Sequence, residues 1–160
     1  MTGDLPMDDL RDLYQDLILD HGRNPRNFRV VEGANHEALG HNPLCGDRLM
    51  LYLAVDEDGV IRDAGFQGSG CAISVASASM MTGMLIGKTT EQAEALFSIL
   101  HAACTGQDAA QPTDSAQSED VDRLKALSGV RNYPMRVKCA TLAWHTMQAA
   151  LKSEKKVTTE

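Results

Sequence analysis

The sequence lacks the features that mark membrane, secreted and nucleic-acid-binding proteins. No apolar run reaches the roughly 18 residues that a membrane-spanning helix needs, and the stretch from Met1 to Asp9 carries three aspartates and no Lys or Arg. Neither a transmembrane helix nor a secretory signal is therefore predicted. The 15 Lys and Arg residues are outnumbered by 22 Asp and Glu, which argues against nucleic acid or an anionic membrane as a partner. A reducing, cytoplasmic compartment is the expectation.

Cysteine is scarce and widely spaced, with single residues at positions 45, 71, 104 and 139. No C-x-x-C pair is present, which excludes a zinc ribbon and a thioredoxin-like motif. A disulfide staple is not expected in a reducing compartment, because a chain of 160 residues with 43% hydrophobic residues has an adequate core of its own. Any one cysteine could equally be a small buried hydrophobe, so the local surroundings have to decide.

The pattern of apolar residues predicts one α+β domain over residues 1–160, a small three-stranded antiparallel sheet covered by helices. A hairpin of two strands is predicted at Asp47–Val55 and Val60–Gln67, with a possible third strand near 28–31 in an otherwise loop-like stretch from 22 to 44. The remaining ranges are helices at 8–21, 72–86, 89–104, 122–127 and 137–151, a polar insertion at about 106–120, and a frayed, flexible tail at 152–160.

Three of the cysteines lie at breaks in this pattern. Cys45 stands at the entry to the first strand, and Cys71 follows a Gly-Ser-Gly turn at the start of a helix. Cys139 is predicted in the first turn of the last helix, just after Arg136 and Lys138. The N-terminus of a helix favours an anion and lowers the pKa of a thiol, so Cys71 and Cys139 are candidates for thiolates.

Thiolates of this kind are nucleophiles or metal ligands, and Asp47 is close enough in sequence to Cys45 for both side chains to reach one ion. Three thiolates and one carboxylate make a plausible tetrahedral set, and soft sulfur ligands select zinc or iron–sulfur species. With zinc, a Cys3Asp site has a formal charge of −2, and its carboxylate is the weaker ligand, which is typical of exchange chemistry. Two other ligands remain open: Cys104, which a core role fits better, and His41, for which a loop hydrogen bond is favoured.

The segments around these residues resemble the IscU-like (NifU N-terminal-like) family of iron–sulfur cluster assembly proteins over about residues 8–151. The matching segments are His21-x-x-Asn24-Pro25-Arg26-Asn27, Asn42-Pro43-x-Cys45-Gly46-Asp47, Gly68-x-Gly70-Cys71-x-Ile73-Ser74-x-Ala76-Ser77-Ala78-Ser79-Met80-Met81, and Arg136-x-Lys138-Cys139-Ala140-Thr141-Leu142-x-Trp144. Within the family the chain looks most like the SufU type. The IscU type has a His before its last Cys, where this chain has Lys138, and the SufU type carries an insertion where this chain has 106–120.

The resemblance implies a zinc-dependent sulfur acceptor that takes persulfide sulfur from a SufS-type cysteine desulfurase and passes it on for cluster assembly. It implies Cys45, Asp47, Cys71 and Cys139 as the zinc ligands, and Cys45 as the acceptor thiol once the partner displaces it from zinc. Arg136 is the residue expected to steer a persulfide or stabilise a thiolate.

Two other functions stay open on the same residues. One is a scaffold on which a transient [2Fe–2S] cluster is assembled and then transferred to downstream assembly proteins. The other is a structural zinc domain that binds a protein partner.

Overall fold

The computed structural model describes residues 16–43, 46–105, 127, 133–152 and 156–158. The first helix, α1, is described over residues 16–23. The other elements, in chain order, are β1 His36–Asn42, β2 Asp47–Val55, β3 Ile61–Ser69, α2 Ala72–Leu85, α3 Thr90–Thr105, α4 Pro134–Leu151 and β4 Lys156–Thr158. The first half of the predicted first helix, the predicted insertion and all but the last residue of the predicted helix 122–127 lie outside these ranges.

The sheet has the order β3-β2-β1-β4, in which β2 pairs antiparallel with both β1 and β3. This confirms the predicted α+β architecture with a three-stranded antiparallel sheet. The strand β4 adds to its edge, parallel to β1, so residues 156–158 are not the frayed tail that was expected. The three residues of β4 are polar or β-branched and show no apolar alternation, so the sequence pattern did not predict a strand. The strand forms because the open backbone edge of β1 is available for pairing.

The third antiparallel strand is β1, and the prediction of a strand near 28–31 was wrong. Phe28 makes only an isolated bridge to Phe66 of β3. The core-facing residues of β1 are Ala38, Gly40 and Asn42, which are too small or too polar to give the hydrophobic alternation by which a strand is recognised.

Helix α4 packs on β1 and β2, and α2 packs on β3 and α4. The small core-facing residues of β1 allow this approach: a Cβ atom at Gly40 would overlap the side chain of Thr146 and press on that of Leu142. The predicted strand Asp47–Val55, the helix α2 and the capping box of α3 are confirmed, the last by reciprocal hydrogen bonds between Thr89 and Gln92.

Helix α4 begins at Pro134, earlier than predicted, because proline is well suited to the first helical position. Cys139 is consequently the sixth residue of the helix and not a member of its first turn. The helix N-terminus therefore does not act on this thiol as predicted, because its effect on an anion falls off beyond the first turn. None of the helices in the described ranges is both long and apolar enough to cross a lipid bilayer.

Candidate metal centre

Asp47 and Asn42 close the buried face of the sheet at one end. Along β2 the residues Asp47, Leu49, Leu51 and Leu53 alternate inward, so the carboxylate continues the row of core leucines. Asn42 is the register partner of Asp47 across the β1–β2 hairpin, and both residues are fully buried. The strand period that builds the core thus places two polar side chains beside the helices.

The carboxylate of Asp47 anchors the start of α2. Its Oδ1 accepts a hydrogen bond from the backbone N–H of Cys71 at 2.9 Å. Helix α2 has no acidic residue in its first turn and no side-chain cap of its own, so a side chain from β2 takes that role. Gly70 makes the approach possible, because a Cβ atom there would overlap the carboxylate.

Cys139 reaches the same place because α4 runs antiparallel to β1. His36 Nδ1 lies 3.0 Å from the carbonyl oxygen of Ala150, Gly40 faces Thr146, and the Asn42 side-chain amide donates to Sγ of Cys139 at 3.9 Å.

The buried hydroxyl of Ser77 also holds α4 in place, through contacts with α2. Ser77 of α2 donates to the carbonyl oxygen of Ala140 at 2.5 Å and accepts a hydrogen bond from Trp144 Nε1 at 3.2 Å. The residue that follows Cys139 is therefore tied directly to α2, which also carries Cys71 at its N-terminus.

A carboxylate oxygen of Asp47 and the Sγ atoms of Cys71 and Cys139 lie within 4.8 Å of one another. Asp47 Oδ2 is buried, and among the described residues it has no hydrogen-bond partner and Asp47 makes no ion pair. An isolated buried carboxylate is costly unless a cation or a donor compensates it. Two sulfurs and an uncompensated oxygen at this separation fit a borderline-soft divalent cation such as zinc, and Cys71, which is half-buried, gives the centre a side open to solvent.

The other predicted site residues stand differently. Cys45 lies outside the described residues, between Pro43 and Gly46, and Gly46 has a φ of 73°, a left-handed conformation that suits glycine. Arg136 is exposed in the first turn of α4, three residues before Cys139. Its side chain therefore lies on the part of the helix surface next to Cys139.

Cys104 and His41 do not join the group within the described part of the chain. Burial raises the pKa of the Cys104 thiol from 9.0 to about 11, and its Sγ faces the carbonyl oxygen of Leu127 at 3.8 Å, as a core cysteine would. His41 neighbours Asn42 on β1, so strand alternation directs its side chain to the opposite face of the sheet. Cys71, Cys104 and Cys139 form no disulfide with one another.

Asn42 is the residue of this site that sequence reasoning missed. In the sequence it ends the loop-like stretch and belongs to a segment that resembles the family, but neither feature assigned it a role at the site. The available clue was the hairpin itself: once β2 begins at Asp47 with an inward side chain, the residue paired with Asp47 also faces inward.

A family model for the NifU-like N-terminal domain matches residues 13–140. The chain belongs to this family. It is 39% identical over 142 residues to the zinc-dependent sulfurtransferase SufU of Bacillus subtilis, a match that covers 89% of this chain and 91% of the relative. It is 41% identical over 144 residues to the iron–sulfur cluster assembly scaffold protein IscU of Thermotoga maritima, covering 88% and 93%.

Among solved structures, a putative SUF-system scaffold protein from Fervidobacterium islandicum superposes with a TM-score of 0.75 at 32% identity, covering 88% of this chain and 98% of that one. The predicted IscU-like and SufU-type resemblance is thereby confirmed. Relatives named as sulfurtransferases and as scaffolds match to a similar extent, so the choice between these functions depends on the chain's own residues.

Proposed function

We propose that this chain is a zinc-dependent sulfur acceptor that works with a cysteine desulfurase of the SufS type in cytoplasmic iron–sulfur cluster assembly. The observation that supports it most is the buried Asp47 carboxylate, whose Oδ2 lacks a partner in the described structure beside the thiols of Cys71 and Cys139. The name of the B. subtilis relative supports zinc as the ion and sulfur transfer as the activity.

The proposed ligands are Cys45, Asp47, Cys71 and Cys139. A tetrahedral zinc site needs four donors, and the described residues supply three. Only Gly46 separates Cys45 from Asp47, so chain geometry alone keeps their Cα atoms within about 7 Å. When bound, zinc would hold the three thiols deprotonated at neutral pH.

Cys45 is the proposed acceptor because contacts within the described structure hold the other two cysteines in place. The backbone of Cys71 is held by Asp47, and Cys139 is fully buried in a helix that Ser77 ties down. The Cys45 thiolate attacks the outer sulfur of the desulfurase persulfide, so that a new S–S bond forms on Cys45 while the donor S–S bond breaks. The donor cysteine leaves as a thiolate, and no oxidant or reductant is consumed.

Arg136 has a steering role in this proposal. Its guanidinium is exposed one helical turn before Cys139, on a chain with a formal net charge of −7. A local cation next to the thiols attracts the anionic persulfide toward a centre that the overall charge would otherwise repel.

The second candidate is a scaffold that assembles a [2Fe–2S] cluster for transfer to downstream assembly proteins. The similarity to the T. maritima scaffold protein favours it, and thiolates also suit iron. Lys138 stands where the scaffold type has a His in its ligand set, which is why sulfur transfer is preferred. A purely structural zinc domain is the third candidate.

The deciding experiment measures alanine release from cysteine by a SufS-type desulfurase with this chain added, zinc-loaded or stripped by a chelator. We expect the zinc-loaded chain to raise turnover, the stripped chain to lose the effect, and mass spectrometry to find the added sulfur on Cys45. Cys45→Ser should abolish stimulation, whereas Cys104→Ala, a buried cysteine outside the group, should retain it.

Three results would contradict the proposal. Stimulation that survives Cys45→Ser but not Cys139→Ser would refute the acceptor role of Cys45. Absence of stimulation and of persulfide would leave a structural zinc domain. Visible charge-transfer bands after anaerobic reconstitution with iron and sulfide, without stimulation, would favour the scaffold.

A further inference from the structure

Asn42 combines three features that no structural role explains. It is fully buried, its Nδ2 is 3.9 Å from Cys139 Sγ, and its Oδ1 has no hydrogen-bond partner among the residues that the structure describes. The two preceding core-facing positions of β1 hold Ala38 and Gly40. A small apolar residue at position 42 would therefore satisfy the packing equally well. A buried carboxamide with an unsatisfied oxygen is destabilising.

Asn35 gives the contrasting case in the same hairpin. Its Nδ2 donates to the carbonyl oxygen of Val55 at 2.7 Å, and its Oδ1 accepts the backbone N–H of Val55 at 2.9 Å. Both ends of that amide form hydrogen bonds with backbone groups at the far end of β2, which is a purely structural role. Asn42 instead has a cysteine sulfur as its partner.

From this placement we infer that Asn42 is a positioning residue of the metal centre, and that its amide N–H holds the Cys139 sulfur in the orientation for metal binding. The inference rests on the proposed function. A thiolate is an acceptor only, so a metal-bound Cys139 sulfur favours the amide orientation in which Nδ2 faces it. Such outer hydrogen bonds fix ligand geometry, and their loss typically weakens metal binding about 10- to 100-fold.

The geometry also explains why this position and not a neighbour carries the donor. Asn42 lies opposite Asp47 across the hairpin, so one β-bridge sets the spacing between a metal ligand and the group that orients a second ligand. Cys139 comes from α4, and the Asn42 contact therefore couples the helix to the same pair of strands that holds Asp47. Two contacts therefore position the Cys139 sulfur. Ser77 holds the backbone of α4 next to Cys139, and Asn42 holds the sulfur atom itself.

The test uses the full chain and a matched pair of variants, Asn42→Ala and Asn35→Ala. Zinc affinity is measured by competition with a chromophoric chelator. We expect Asn42→Ala to bind zinc 10- to 100-fold more weakly, with Asn35→Ala within about threefold of wild type although it loses more hydrogen bonds to the backbone. Asn42→Asp, which keeps the shape and removes the donor, should also bind weakly.

A second readout detects the hydrogen bond itself. In protein loaded with ¹¹³Cd, we expect a scalar coupling between the metal and an Asn42 side-chain amide proton, transmitted through Cys139 Sγ. A structural asparagine would show none.

The outcomes separate the two proposals. Wild-type affinity in Asn42→Ala, or absence of the coupling in loaded wild-type protein, would overturn the role of Asn42 and leave the proposed function standing. Failure of the wild-type chain to take up zinc or cadmium would overturn the proposed function, and the inference with it.

Discussion

At the scale of single residues, the account depends on Asp47 using its two carboxylate oxygens differently. One oxygen accepts the N–H of Cys71 and so anchors α2, while the other has no partner in the described structure. A residue that both caps a helix and offers a metal ligand links the position of Cys71 to the geometry of the centre. Gly70 is the residue that this double role requires, because any side chain there meets the carboxylate.

The substitution Gly70→Ala should therefore impair both stability and metal binding. We expect it to lower the free energy of unfolding by about 1–3 kcal/mol through overpacking, and to weaken zinc binding by about tenfold or more because the Asp47 carboxylate is displaced. Urea denaturation and chelator competition measure the two effects.

The matched control is Gly83→Ala in the last turn of α2, where an added Cβ meets nothing within 4 Å. It should raise stability by at most about 1 kcal/mol through helix propensity and leave zinc binding unchanged. Wild-type zinc affinity in Gly70→Ala would show that the contact with Asp47 is not needed.

At the scale of elements, the contact between α3 and α4 contains an aromatic cluster of Phe97, His101 and His145. The Phe97 and His145 rings meet edge to face with centroids 5.1 Å apart, and the two histidine rings lie 6.0 Å apart. Burial lowers the pKa of His145, and the nearby charge of His101 lowers it further. The folded chain therefore favours the neutral imidazole at this helix interface.

This pKa shift predicts a loss of stability in acid. Protonating His145 costs more free energy in the folded chain than in the unfolded chain. The stability that accompanies the neutral imidazole is therefore fully present above about pH 6.5, and it is lost as the pH falls from there through the lowered pKa of the folded chain. Between pH 7 and 5, wild type should lose more unfolding free energy than His145→Gln, measured by urea denaturation. Equal losses in wild type and His145→Gln would contradict the shift.

The strands and helices differ in how well the sequence pattern predicts them. Strand β2 and helix α2 were predicted because Leu49, Leu51 and Leu53 alternate and because an uncharged, small-residue stretch favours a buried helix. Strand β1 was missed because the close packing of α4 requires a glycine at position 40, where a strand pattern would show an apolar side chain. Strand β4 was missed because it depends on a free sheet edge. Such features record tertiary contacts and leave no periodicity in the chain.

At the scale of the whole molecule, the fold brings together residues that lie far apart in the sequence. Asp47, Cys71 and Cys139 were predicted as ligands from their local surroundings and from the family resemblance, and the structure places all three in one group. The supporting residues were not predictable in the same way. Asn42 and Ser77 stand in segments that resemble the family, but their roles depend on contacts with α4 that span 97 and 63 positions.

In the proposed metal centre, one zinc ion is held by three sulfurs and one oxygen from Cys45, Asp47, Cys71 and Cys139. This ligand set is measured by zinc K-edge X-ray absorption on the metal-loaded chain, with Cys104→Ala and Cys139→Ser alongside. We expect about three sulfurs near 2.3 Å and one lighter atom near 2.0–2.2 Å in wild type, an unchanged spectrum in Cys104→Ala, and the loss of one sulfur or of the metal in Cys139→Ser. Four sulfurs in wild type, or a spectrum that changes in Cys104→Ala and not in Cys139→Ser, would contradict it.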